Sequence, residues 1–257
     1  MDELREIYQD ALEAQEAGDH AEALRLHQHF YDYAAKQERN LHRFGRYALH
    51  HWKELGDFYP PALAALQALR EREAALLLDG ETMVAIADGS SEPRFPVIVD
   101  INHLLEDERA TYELFQQFQA KLPEQAAQSF RYAAGAIVVC GDFQLASGYL
   151  PEPMAAIEEE AEYLNRLFRE MAADTSAPSV MRLMADTLNY ADTTLLQWQV
   201  LTGLGKEEKA REYAEKAEAL LERPSLRQAI RREFAAPGSL LAESVQRQEA
   251  FWLRDET

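Results

Sequence analysis

Five residues between positions 39 and 53 could bind an anion together. Arg39, Arg43, Arg46, His50 and Lys53 follow one another at steps of 4, 3, 4 and 3, so a helix through them carries all five along one face. Tyr47 borders that stripe. Arg131 and Tyr132 form a second arginine–tyrosine pair, ahead of a glycine turn at Gly141. Guanidinium forks suit bidentate binding of carboxylates, and tyrosines add rigid contact area with a polar tip. The eight residues therefore suggest a groove that holds an acidic side chain or the C-terminal carboxylate of a peptide. A plain solvated face, balanced by acids on neighbouring helices, explains the same spacing. An enzymatic centre around His50, Tyr47 and Arg131 is a third assignment.

Other chemistry finds less support. Six of the seven histidines lie within the first 51 residues, but none forms a pair at i,i+3 or i,i+4, the spacing that a helical metal site requires. His20 and His27 are seven apart and can share a face; His103 lies three residues after Asp100. No metal or cofactor is expected. Neither a Gly-x-Ser-x-Gly elbow, a phosphate loop nor a Gly-x-Gly-x-x-Gly fingerprint is present. Glu158, Glu159, Glu160 and Glu162 read as a solvated helix face, with Glu162 and Arg166 as an i,i+4 pair. Arg227, Arg231 and Arg232 stand beside one acid, Glu233, and need a carboxylate from elsewhere. Cys140, in Ala-Ile-Val-Val-Cys, reads as a small buried hydrophobe. Trp52 and Trp198 read as core, and Trp252 as a solenoid cap or a subunit anchor.

Helical periodicity supplies the elements that must position these groups. Leu4, Tyr8, Ala11 and Leu12 mark one helix, ended at Gly18-Asp19, and Ala21, Leu24, Leu26 and Phe30 the next. A third runs from Leu41 to Leu55 and stops at Gly56-Asp57; Pro60-Pro61 opens a fourth, to Leu78. Residues 88–93 read as a loop. Val97-Ile98-Val99 resembles a strand, but the wider spacing from Phe95 to Leu105 favours a helix with Pro96 in its first turn. Further helices are expected near 108–121, 124–140, 154–172, 179–203, 206–222, 225–235 and 239–254.

Composition bounds the remainder. With 26 Lys+Arg against 45 Asp+Glu, the net charge is −19. Nucleic-acid phosphates and anionic membranes would be repelled. One cysteine excludes a disulfide framework within the chain. A 47% hydrophobic content suffices for a core. The most apolar stretch, Tyr132 to Cys140, is too short to span a bilayer, and the charged N-terminus is no secretory signal. The expected compartment is the cytoplasm.

Helix–turn–helix units recur around positions 18, 56, 106, 141 and 205, at separations of 38, 50, 35 and 64. Glu106 takes the place of glycine in one of them. Gly18 with Ala23, Gly141 with Ala146, and Gly205 with Ala210 repeat one spacing, which Gly56 misses by one residue at Ala62; Phe58 and Phe143 follow the turns at Gly56 and Gly141, and Pro123 and Pro224 stand at unit ends. These units resemble degenerate tetratricopeptide repeats, and phrases such as HHWKELGDFYPPALAAL resemble bacterial tetratricopeptide-like proteins. The resemblance implies an all-α, right-handed superhelix whose concave face binds protein segments. The expectation is one solenoid domain over 1–257 of about five helix pairs, with an inserted loop near 88–95 and a cap at about 225–257. An ordinary helical bundle is the alternative for the periodicity. The expected role is a non-catalytic scaffold or regulator for a protein or peptide partner. Neutralising a basic toxin domain as its antidote is the alternative, and homodimerisation through the C-terminal helix a further expectation.

Overall fold

The computed structural model describes residues 2–37, 41–85, 90–171, 177–240 and 242. Among them the protein is all-α apart from one short hairpin. Two compact units divide the chain, Met1–Cys140 and Gly141–Thr257. The first holds α1 (Asp2–Glu16), α2 (His20–Gln37), α3 (Leu41–Phe58), α4 (Pro60–Leu78), β1 (Met83–Ala85), β2 (Ser91–Pro93), α5 (Phe95–Leu104), α6 (Glu108–Lys121) and α7 (Pro123–Val139). The second holds α8 (Phe143–Tyr149), α9 (Pro153–Met171), α10 (Ala177–Gly203), α11 (Glu207–Ala219) and α12 (Pro224–Ala235). The anticipated C-terminal helix, with Trp252, lies outside the described residues.

The recurrent Gly-Asp turns have a local physical cause. A helix leaves its last carbonyls unpaired, and a residue with positive φ lets the chain fold back onto them. Gly18 (φ 80°) does so: its N–H reaches the Gln15 carbonyl at 3.1 Å and Asp19 N–H reaches Ala14 at 2.9 Å. Asp19 Oδ1 then accepts the Glu22 N–H at 3.2 Å, capping the next helix. Glu106 (φ 54°) and Asp107 repeat the device without glycine, with bonds to His103 and Asn102 and an Asp107 cap on Ala110. Gly141 and Gly205 share the positive φ, and Asp142 caps Leu145.

Gly56 departs from this pattern. The helix expected to stop there continues to Phe58, and Gly56 has no positive φ. Its missing side chain lets α4 approach: a Cβ would lie 3.1 Å from the Leu63 nitrogen and 3.2 Å from its Cα. This glycine is a packing residue, not a cap.

Phe95–Leu104 is helical, as its spacing predicts, with Pro96 in the first turn. The segment before it does not remain a loop throughout. Met83–Ala85 pairs antiparallel with Ser91–Pro93, a hairpin for which six strand residues carry little alternating pattern. Arg94 holds it in place. Its side chain, 8% exposed, pairs with buried Glu73 of α4 and donates to the carbonyls of Glu81 (2.7 Å) and Met83 (3.3 Å).

In the first unit every helix packs on its chain neighbour, and α1 on α3, α3 on α5 and α5 on α7 also pack in succession. Phe30, Tyr31, Trp52, Leu55, Leu66 and Ile101 belong to one buried cluster. Phe95 lies against Phe115 and Phe118, and Phe115 against Phe130. In the second unit α10 is central, packing on α8, α9, α11 and α12. Tyr190 and Tyr213 are buried there with Ile157, Leu164 and Ile230. Asn165 fastens the end of α11 by donating to the Leu220 carbonyl (2.8 Å) and accepting from the Glu222 N–H (2.9 Å). Gly203 makes room for Phe143, whose ring would be 2.3 Å from a Cβ at that position.

Candidate functional site

Of the predicted anion-binding stripe, Arg39 lies outside the described residues. Arg43, Arg46 and Tyr47 fall on the backbone of α3. The described members are paired with acids of their own helix. His50 Nε2 is 3.4 Å from Glu54 Oε1, and Lys53 bonds to Asp57. Each pair spans i,i+4, the geometry of a solvated helix face. Arg131 and Tyr132 sit together on α7: the guanidinium donates to the tyrosine hydroxyl and lies 4.6 Å from its ring centroid. These bonds stay within α3 and within α7. The structure thus gives two separate paired sets of described side chains, and the acids that meet His50 and Lys53 come from α3 itself, not from neighbouring helices.

Several sequence assignments are corrected by side-chain geometry. Cys140 is exposed at the end of α7 instead of buried. His103 reaches Glu108 of the next helix at 3.0 Å. Glu162 pairs with Arg169 at 3.0 Å, while Arg166 lies over the Tyr163 ring at 5.7 Å. Arg231, by contrast, finds the carboxylate from elsewhere that it needs in Glu218, which it meets through two guanidinium nitrogens. Glu233, the one acid beside these arginines in the sequence, is buried and accepts from Gly238 N–H, Ser239 hydroxyl and Leu240 N–H. Its carboxylate closes the turn after α12. For Glu162 the partner is Arg169, two turns on, instead of Arg166 at i,i+4, and for Arg231 it comes from the preceding helix.

One concavity lies in the second unit, between α9 and α10. It has a volume of about 910 Å³ and is lined by Glu152, Glu159, Glu160, Glu162 and Asp186 against a single cation, Arg166. Tyr163 and Tyr190 supply aromatic surface beside Ala155 and Leu164. Burial, then the charge of Glu159, raises the Glu160 carboxyl above its ordinary range. Burial, then Glu160, raises the Tyr190 hydroxyl, so that side chain stays neutral; its proton goes to the Ala217 carbonyl at 2.8 Å. Such a groove attracts cations and offers apolar contact at its floor. The acids of α9 are expected on a solvated face, and Glu158, Glu159 and Glu162 are exposed; Glu160 alone of the four is half-buried, and the sequence gives no sign that Asp186 of α10 joins them.

A smaller hollow in the first unit, of about 380 Å³, is floored by Tyr31, Trp52 and Leu69 and rimmed by Asp32 and Arg72, which pair at 3.2 Å. Trp52 donates to the Ala62 carbonyl at 2.9 Å, so its indole is fixed. Among the described residues, no group of three or more His, Cys, Asp or Glu side chains is arranged to hold a metal ion. Nor is any helix among them long and apolar enough to cross a membrane. Comparison with family models, with curated proteins and with solved structures gives no match in any of the three.

Proposed function

We propose that this protein is a non-catalytic, cytoplasmic protein-binding scaffold built on tetratricopeptide-like helix pairs. The observation that carries this reading is the order of packing in the first unit: α1, α3, α5 and α7 pack in succession while each helix also packs on its chain neighbour. A solenoid of helix pairs has this neighbour pattern, and its first helices line the binding surface. The shared turn, a positive-φ residue followed by a capping Asp at 18–19, 106–107 and 141–142, supports a repeated unit. Arg43, Arg46 and Tyr47 of the stripe on α3 are then the recognition residues for a carboxylate-bearing peptide. Affinity capture from the native host with mass spectrometry tests the proposal. A stoichiometric partner, lost when Arg43 and Arg46 are changed to Glu, is expected. Capture unaffected by the double substitution counts against the strip, and a bound small molecule without any protein partner counts against the scaffold.

The acid-lined groove of the second unit favours a second reading, a partner with a basic surface such as a cationic toxin domain. Five carboxylates against one guanidinium, within a chain of net charge −19, would speed and orient such an encounter. Glu159→Lys with Glu162→Lys should slow association with a basic partner and flatten its salt dependence. An unchanged association rate refutes this reading.

A further inference from the structure

The contact between α2 and α3 is built on histidines. His20 of α2 stands edge-on to Phe58 at 5.1 Å and 5.7 Å from the Tyr59 ring. One heptad later, His27 stacks on Trp52 at 6.3 Å, with the rings 15° apart. From the α3 side, His51 Nδ1 meets the Tyr8 hydroxyl of α1 at 2.7 Å. His27 is 1% exposed, and neither of its ring nitrogens has a hydrogen-bond partner among the described residues. His20 Nδ1 is buried and unpartnered in the same way.

Such a site accepts a neutral imidazole and rejects an imidazolium. A protonated ring carries two N–H donors and a full charge, both costly without acceptors or water. Of the elements around His27, α3 brings His51, which repels it when charged. From α1 comes Tyr8, already bonded to His51, and β1 (Met83–Ala85) carries no titratable side chain. No carboxylate acts on the ring among the described residues. Trp52 offers no hydrogen-bond acceptor: its indole N–H is a donor, engaged with the Ala62 carbonyl, and in a stack with the rings 15° apart the imidazole N–H groups lie near the ring plane and do not point at the indole face.

We propose that this seam is an acid-operated release: protonation of His27 frees the α1–α2 pair from α3 and uncovers Trp52, while α4 to α7 stay folded. Burial, with a smaller contribution from His51, lowers the His27 pKa from 6.5 to about 4. An imidazole exposed by opening returns to the ordinary value. Opening therefore becomes easier as pH falls below 6.5, by about 30-fold at pH 5 and about 150-fold at pH 4 relative to pH 8.

Hydrogen exchange of the full chain between pH 8 and pH 4, corrected for intrinsic exchange rates, tests this. The expected result is a progressive loss of protection in α2 peptides, of about the size given, while peptides of α6 and α7 keep theirs. His27→Phe and His27→Leu should each flatten the profile of α2. Equal α2 protection at pH 8 and pH 4 overturns the proposal, as does simultaneous loss throughout the first unit. A wild-type pH profile in either folded variant overturns it too. If neither variant folds, the wild-type contrast between α2 and α6–α7 still decides.

Discussion

Glu73→Gln should destabilise the first unit more than any surface change in it. Glu73 is 4% and Arg94 7% exposed. Neutralising Glu73 leaves the guanidinium buried with two backbone carbonyls, those of Glu81 and Met83, and with the exposed Glu81 carboxylate 3.8 Å away. Orphaning one member of a buried pair costs about 3–5 kcal/mol; the surviving carbonyl bonds place this case near 3 kcal/mol. Arg94→Met should cost less, about 2 kcal/mol, because Glu73 keeps Arg72 at 3.2 Å with that guanidinium half exposed to water. The double variant Glu73→Leu, Arg94→Met removes both charges, and the freed carbonyls belong to exposed residues that can bind water. It should be less destabilised than the sum of the singles by about 2 kcal/mol. Urea denaturation in a Trp198→Phe, Trp252→Phe background, where Trp52 is the sole indole, gives the required free energies. A Glu73→Gln loss below about 1 kcal/mol, or singles that simply add, would refute the argument that this pair is buried and coupled.

Four further predictions concern backbone and charge. Glu106→Gly should stabilise the protein by about 1 kcal/mol in thermal or chemical denaturation, since Glu106 holds φ 54° with a side chain that disfavours it. Gly56→Ala should destabilise by about 1 kcal/mol because the new Cβ meets Leu63 backbone at 3.1 Å. Gly135→Ala, on the same chain with nothing within 4 Å, should stabilise by about 0.5–1 kcal/mol through helix propensity. Glu160→Gln should stabilise the second unit at pH 7. Burial and Glu159 raise the folded-state pKa of Glu160, so its charge destabilises the fold at pH values above that pKa. This penalty fades as pH falls through it, and the advantage of Gln should shrink in parallel in denaturation curves at decreasing pH.

Helix periods and turn chemistry were legible in the sequence because both are local. The Gly-Asp pairs announce a helix end and the next helix start within four residues, and Glu106 could be placed at a turn from the company around it. Proline positions set the starts of α4 and α5 for the same reason. Gly56 shows the boundary of this logic: its residue type suggested a cap, but α4 packs so closely that a side chain, not a left-handed backbone, is what the position excludes.

What needed the tertiary structure was the partner of each charge. Arg94 and Glu73 stand 21 residues apart, and no periodicity links a hairpin to the middle of a helix. The acids of α9 line a groove only because α10 sets Asp186 and Tyr190 beside them, and Glu218 neutralised Arg231 from the preceding helix. For the basic stripe, spacing alone established that five side chains share one helix face, and the structure showed His50 and Lys53 engaged with Glu54 and Asp57. The sequence likewise concentrated six histidines near the N-terminus, but only packing made His27 a buried imidazole without a partner against Trp52. Spacing along a chain determines which side chains share a face. Burial and pairing depend on what the rest of the chain brings to that face, and that is decided in three dimensions.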